Sequence, residues 1–292
     1  MFRGTFTALV TPFRDDRVDF AALEKLLDGQ LAGGITGVVA VGTTGESPTL
    51  THEERESVIK KCVEMGKGHC VVLAGTGSYS TREAIEATKR AEVLGVNAAL
   101  VVAPYYNKPS QEGLFRHFKA IAEAVSIPIV LYNIPGRCGV DINADTVVRL
   151  AESSRNIVSI KEAGGSVERV SELRGRLPES FTVLSGDDSL TLPFMAVGAA
   201  GVVSVASNLI PAEICALVKA FECKDAAAAE KLHRRMFPLL KDLFIEPNPV
   251  PVKKALEWRG LMSSACRLPL CEMTAANEAR LRKTLDAFDQ SK

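Results

Sequence analysis

The chain has 292 residues, and its 35 Lys and Arg are balanced by 35 Asp and Glu, so the formal net charge is zero. That balance argues against a dedicated nucleic-acid binder, which would carry a basic stripe. No apolar run reaches the roughly 18 to 20 residues that span a bilayer, so no membrane segment is expected.

The length is enough for a large core and leaves one or two domains open. The seven cysteines are scattered and form no Cys-x-x-Cys pair, which suits free thiols in a reducing cytoplasm. The first ten residues hold one early Arg but no long apolar core or cleavage site, so they read as a first strand and not a secretory signal. Eight short runs rich in Val, Ile, Leu and Ala then follow in chain order. They are Thr5 to Val10, Gly37 to Val41, Cys70 to Ala74, Ala98 to Val102, Pro128 to Tyr132, Ile157 to Ile160, Phe181 to Leu184 and Gly201 to Val205. Near-continuous apolar strands indicate a parallel sheet covered on its faces.

Helical signals lie between them. Asp19 to Leu27 carries an apolar stripe at helical spacing, and Thr51-His52-Glu53-Glu54 resembles a capping box. Ser80-Thr81-Arg82-Glu83 is expected to open the next helix in the same way, and Ser110, Asn143 and Pro211 mark further starts. Eight strand–helix units point to an α/β fold, a closed (β/α)8 TIM barrel, with active-site groups at the C-terminal ends of its strands. An open doubly wound sheet would also use such units, but no glycine phosphate fingerprint supports one. The strand pattern stops after about residue 222. The expected division is a barrel over 1–222 and a C-terminal helical region over 223–292 packed on it.

Several familiar motifs fail. His52-Glu53-Glu54-Arg55-Glu56 lacks the second histidine of a zinc-protease helix, and four scattered histidines offer no metal cluster. His233-Arg234-Arg235 reads as a solvated helix face, and Asp187-Asp188 as a cap for the helix that follows. The positive signals sit at strand ends. Gly42-Thr43-Thr44-Gly45-Glu46-Ser47 has glycines for tight turns, with hydroxyls and N–H groups that can hold a carboxylate. A Gly-rich turn capped by its own hydroxyls explains that segment equally well. In Pro104-Tyr105-Tyr106-Asn107-Lys108-Pro109, at least one tyrosine is expected simply to pack. Leu131 to Arg137 puts a phenol and a guanidinium within a few residues, which suits proton transfer beside anion recognition.

Period-two alternation in Ile157-Val158-Ser159-Ile160-Lys161-Glu162 sets Ile157, Ser159 and Lys161 on one face and Val158 and Ile160 on the other. The same counting aligns Val130 with Tyr132 and Val41 with Thr43. Lys161 then projects into the barrel mouth, where desolvation favours a neutral amine that can form a Schiff base with a ketone. Taken alone, Lys161 reads better as a surface lysine at a strand end, paired with Glu162 or another carboxylate. The convergence of Thr43, Tyr132 and Lys161 on one cavity reverses that choice.

Gly42 to Glu46, Pro104 to Pro109, Tyr132 to Arg137 and Ile160-Lys161-Glu162-Ala163 together closely resemble the dihydrodipicolinate (4-hydroxy-tetrahydrodipicolinate) synthase family of the N-acetylneuraminate lyase superfamily. The resemblance extends to Asn248-Pro249-Val250-Pro251-Val252-Lys253 and covers nearly the whole chain. It implies a cytoplasmic lyase of lysine (diaminopimelate) biosynthesis that joins pyruvate to aspartate semialdehyde without metal or organic cofactor. By resemblance, Lys161 forms the pyruvate Schiff base, and Thr43, Tyr106 and Tyr132 form a proton relay. Thr44 binds the pyruvate carboxylate and Arg137 that of the semialdehyde, while Gly186 and the carbonyl of Val203 line the site. The residue matching Tyr106 crosses a dimer interface in the family, which implies a homodimer or a dimer-of-dimers homotetramer.

Arg137 discriminates among relatives, because sialic-acid lyases generally lack an arginine after this motif. Aldolases for keto-deoxy sugar acids or hydroxy-oxoglutarate are the runners-up, with N-acetylneuraminate lyase, and a non-catalytic pyruvate or lysine sensor is the reading from another class. A lysine-regulated pocket in the family matches Ser47, His52, Glu83 and Tyr105. It has Arg55 and Tyr79 where inhibited members carry histidine and asparagine, so lysine feedback is expected to be weak or absent.

Overall fold

The computed structural model describes residues 2–291; Met1 and Lys292, the outermost residues of the two expected regions, lie outside the described residues. The first strand, β1 (Gly4–Ala8), is followed by a small antiparallel hairpin of β2 (Phe13–Arg14) and β3 (Arg17–Val18). The remaining strands are β4 (Gly37–Ala40), β5 (Val71–Gly75), β6 (Ala98–Val102), β7 (Ile129–Asn133), β8 (Ile157–Glu162), β9 (Thr182–Ser185) and β10 (Gly201–Ser204). All but β2 and β3 pair in parallel and close into a barrel of order β1-β10-β9-β8-β7-β6-β5-β4. These eight are the eight apolar runs of the sequence, each within two residues or so of its expected limits. The hairpin had no such signal: it turns on Asp15 and Asp16, both in the left-handed region at φ 50° and 59°, as a two-residue hairpin loop requires.

The helices are α1 (Phe20–Ala32), α2 (His52–Gly66), α3 (Thr81–Val93), α4 (Gln111–Ala124), the single turn α5 (Pro135–Cys138), α6 (Ala144–Ser153), α7 (Val167–Arg176), α8 (Thr191–Ala196) and α9 (Pro211–Glu222). Beyond the barrel come α10 (Ala226–Asp242), α11 (Val250–Trp258) and α12 (Ala275–Gln290). The capping box of α2 forms as expected: Glu54 N–H donates to Thr51 Oγ1 at 3.2 Å, and Thr51 N–H donates to Glu54 Oε2 at 2.9 Å. Its counterpart at α3 is only half made. Ser80 Oγ accepts from Glu83 N–H, but the Glu83 carboxylate accepts from the Ser78 hydroxyl at 2.8 Å instead of from Ser80 N–H.

Strand alternation sorts the core. Phe6, Val39, Leu73, Leu100, Val130 and Leu184 face inward and share one cluster with Leu217, Met236, Leu240, Leu256 and Leu285 of α9 to α12. Ala99, Val101, Leu131, Ile160 and Val183 face outward onto Leu114, Phe118, Val147 and Leu173. Val38, Ala40 and Val72 face Leu23, Val58 and Ile59 beneath α1 and α2. Each such side chain, fully buried, contributes roughly 1.5–3 kcal/mol, and the C-terminal helices draw on the same core as the barrel.

Two register details correct the sequence reading. Ile129 pairs with Ile157 but Val130 pairs with Ser159, so Val158 is an extra, bulged residue in β8. Ile157 therefore joins Ile160 in the outer cluster while Val158 packs against the inner one, and only Ser159 and Lys161 keep the shared inward face. The second correction is at β4, which stops at Ala40; Val41 turns left-handed at φ 48°. Alternation thus does not carry from Val41 to Thr43, which reaches its place through a loop.

Candidate active site

Lys161 and Tyr132 are direct partners across β8 and β7. Both point inward at the C-terminal ends of their strands, and the Lys161 Nζ lies 4.2 Å from the centroid of the Tyr132 ring. They stand in a cavity of about 220 Å³ that is also lined by Thr43, Thr44, Arg137, Ser47, Tyr105 and Cys138, with Val39 and Leu100 on its floor side. Lys161 is only 6% exposed. Burial pulls its pKa from 10.5 down to about 8, helped by the Arg137 charge and opposed by Asp188. Tyr132 is pushed up to about 12 by burial, while Arg137 and a hydrogen bond with Thr43 act in the other direction. The pair therefore comprises an amine that is neutral in substantial fraction near pH 8 and a phenol that keeps its proton.

Glu162, the residue after Lys161, is not its partner. Alternation turns Glu162 to the other side of β8, where its carboxylate accepts from Asn133 Nδ2 at 3.1 Å, Gly164 N–H at 2.7 Å and Arg169 Nε at 2.7 Å. Asn133 and Glu162 are themselves in register. Asn133 Oδ1 accepts from Ile142 N–H at 3.0 Å, and Asn133 Nδ2 also donates to Asp141. The two strand ends that carry Tyr132 and Lys161 are thus tied together from behind by a fully paired polar network.

The loop after β4 forms the facing wall. Thr44 is buried, and its hydroxyl accepts from Asn248 Nδ2 at 3.0 Å. Glu46 is left-handed at φ 54° and buried. Its carboxylate accepts from Lys253 Nζ at 2.5 Å and from Arg267 N–H at 3.0 Å. Arg137 follows β7 on α5 and sits exposed at the rim, with no carboxylate partner among the described residues. Gly186 follows β9 directly behind Lys161: a Cβ there would stand 3.0 Å from Lys161 Cε and 2.7 Å from Ala163 Cβ. Three residues expected at the active site, Gly186, Val203 and Tyr106, are not among those lining this cavity. Val203 is buried within β10 opposite Phe6. Tyr106 is left-handed at φ 71°, 90% exposed, and does not reach the cavity of its own chain.

Residues 1–288 match the Dihydrodipicolinate synthetase family. The chain belongs to this family. It is 51% identical over 288 residues to the 4-hydroxy-tetrahydrodipicolinate synthase of Endomicrobium trichonymphae, covering 99% of each chain. Its fold superposes with a TM-score of 0.98 on the 4-hydroxy-tetrahydrodipicolinate synthase of Methylacidiphilum fumariolicum SolV, at 53% identity over 99% of this chain and 97% of that one. The dihydrodipicolinate synthase of Aquifex aeolicus gives 0.97 at 48% identity, covering 99% and 98%.

In this dihydrodipicolinate synthetase-family chain, the six residues read as a regulatory group gather beside the loop after β4. The Arg55 guanidinium donates twice to the Ser47 carbonyl, at 2.6 and 3.1 Å. Tyr79 meets Tyr105 edge-on with centroids 5.4 Å apart, and Glu83 and Arg55 both act on the Tyr105 phenol, whose pKa is raised mainly by burial. His52 lines a small void with Arg55. Asp188, expected as a helix cap with Asp187, divides from it. Asp187 caps the following turn through Ser189 N–H at 3.0 Å, whereas the buried Asp188 accepts from Val205 N–H at 2.9 Å and Ala206 N–H at 3.0 Å. Sequence reasoning missed Asp188, Asn248 and Lys253 at the site; each acts through contacts distant in the chain. Among the described residues, no group of three or more His, Cys, Asp or Glu side chains could hold a metal ion.

Proposed function

We propose that this chain is a lysine-dependent lyase that condenses pyruvate with L-aspartate 4-semialdehyde to 4-hydroxy-tetrahydrodipicolinate, in lysine and diaminopimelate biosynthesis. The observation that carries this is the buried Lys161 amine, with its pKa near 8, in register with Tyr132 in a cavity also lined by Arg137.

The neutral Lys161 Nζ attacks C2 of pyruvate, and Tyr132 protonates the departing oxygen. Thr43, hydrogen-bonded to Tyr132, passes a proton to the phenol and receives one in turn from solvent through the rest of the relay, so neither phenolate nor alkoxide accumulates. Loss of water gives a protonated imine, which draws electrons from C3 and allows it to lose a proton. The resulting enamine carbon attacks the aldehyde carbon and forms the new C–C bond. The aldehyde C=O π bond opens, and its oxygen takes the proton that C3 lost, through the Tyr132–Thr43 relay that received it, and becomes the product hydroxyl. The amino group of the semialdehyde then displaces Lys161 from the imine carbon, closing the ring and freeing the enzyme. Thr44, with the N–H groups of its turn, holds the pyruvate carboxylate, and Arg137 holds the carboxylate of the semialdehyde. Gly186 leaves room for the lysine side chain, and the Val203 carbonyl is assigned to the deep end of the same site. Tyr106, exposed on its own chain, completes the relay from a second copy, so the working form is a homodimer or a dimer of such dimers. The seven free thiols fit a cytoplasmic enzyme.

The test is a coupled initial-rate assay in which dihydrodipicolinate reductase reports product through NADPH oxidation. Turnover that requires both substrates supports the reading. Folded protein that traps pyruvate with borohydride yet shows no turnover would move the choice to another aldehyde. Arg137→Ala is expected to raise KM for the semialdehyde roughly 30-fold, equivalent to about 2 kcal/mol for a charged hydrogen bond, with little change for pyruvate. An equal loss for both substrates would contradict the assignment of Arg137.

A further inference from the structure

The ion pair between Glu46 and Lys253 takes no part in the chemistry above, yet it ends on the loop that chemistry needs. Lys253 has no exposed side-chain surface and Glu46 has 1%. The Lys253 ammonium donates to Glu46 Oε1 at 2.5 Å and to the Ala265 carbonyl at 2.7 Å, and lies 4.3 Å from the centroid of the Phe13 ring. The second carboxylate oxygen accepts from Arg267 N–H at 3.0 Å. Such a pair is weak evidence for stability, since apolar residues of the same volume often serve as well. What it does supply is one defined geometry.

That geometry falls where the backbone needs support. Glu46 is left-handed at φ 54°, a region that residues with a side chain rarely occupy. It closes the turn of the loop, with Glu46 N–H bonded to the Thr43 carbonyl and Gly45 N–H to the Gly42 carbonyl, each at 3.1 Å. A shift of Glu46 therefore moves Thr43 and Thr44. The same short segment grips the loop a second time through Asn248 and Thr44.

We propose that Lys253 is a positioning residue for the reaction: through Glu46 it sets the turn that carries Thr43 and Thr44, and hence the affinity of the cavity for the pyruvate carboxylate. This rests on the assignment of that turn to pyruvate. Lys253→Met keeps the aliphatic volume and removes the charge. With folding checked by circular dichroism, it is expected to raise KM for pyruvate about tenfold and to lower kcat as Thr43 shifts against Tyr132, while KM for the semialdehyde changes less than about threefold. Half-saturation of borohydride trapping by pyruvate should shift by the same factor, and saturating pyruvate should still label the protein fully. A folded variant with unchanged pyruvate half-saturation, or one in which both KM values rise together, would overturn the proposal. Should Lys253→Met not fold, Glu46→Gln removes the other charge with little change in volume, and the same shift in pyruvate half-saturation is expected; its absence would count equally against the proposal. Failure of the underlying reading looks different: wild-type protein would not trap pyruvate, or Thr44→Val would leave its half-saturation unchanged.

Discussion

Lys161 carries an ammonium that burial makes unfavourable, and this has separate consequences for rate and for stability. Only the neutral amine attacks a ketone, so the rate of borohydride trapping with pyruvate should climb as pH passes through about 8 and level off above it; a rate flat from pH 6 to 9 would contradict the depressed value. For stability, the folded pKa lies below the ordinary 10.5, so the unfolded chain holds the proton more tightly. The penalty is fully present below about 8 and fades as pH rises towards 10.5, with a size on the order of 3 kcal/mol. Lys161→Met should therefore abolish trapping and raise the unfolding free energy at neutral pH by about 1–3 kcal/mol. Urea titrations should show that gain shrinking in alkali, and a gain independent of pH would need another cause. Lys161 and Tyr132 were legible because each stands at a strand end on a countable face, and Arg137 because it follows the strand of Tyr132 within a few residues. Asp188 was not, since nothing local separates it from Asp187; the N–H groups of Val205 and Ala206 decide which one turns inward.

At the scale of elements, the ends of β7 and β8 form one unit in which Tyr132 and Lys161 face the cavity while Asn133 and Glu162 bind each other behind. Glu162 is completely buried and paired with Arg169, which also donates to the Ile142 carbonyl. Glu162→Gln removes the closer, buried charge partner of Arg169 and leaves only the 3.7 Å pairing with the half-exposed Asp141. We expect a loss of about 2–4 kcal/mol in stability, with a fall in kcat as the Lys161–Tyr132 register loosens. A variant as stable and as active as wild type would remove the network from that role. The eight barrel strands were readable because buried parallel strands are apolar throughout. The bulge at Val158 and the left-handed Val41 were not, because each alters the backbone without changing the apolar pattern. The hairpin of β2 and β3 is too short to show any period. We propose residues 222/223 as the boundary between barrel and C-terminal helices, in the gap between α9 and α10, although the two share one core.

The whole molecule brings together groups that the linear pattern keeps apart. Arg55 is already bonded to the Ser47 carbonyl, so a lysine ammonium arriving at the cluster of His52, Tyr79, Glu83 and Tyr105 would meet a cation held in place. Initial rates should accordingly be insensitive to lysine, and strong inhibition at submillimolar lysine would overturn that expectation. Closure of the barrel was legible from the count of eight units. The grip of Asn248, Lys253 and Arg267 on the loop after β4 was not, because a pairing across some two hundred residues has no local signature. That grip also orders events on the ribosome. The loop bearing Thr43 and Thr44 is made well before its partner, because Lys253 lies 207 residues beyond Glu46. Nascent chains gain their N-terminal parts first, at about 5–20 residues per second. For roughly 10–40 s at that rate, then, the growing polypeptide holds the turn of Thr43 and Thr44 without its anchor, and the turn gains the Glu46–Lys253 contact only once Lys253 has been made.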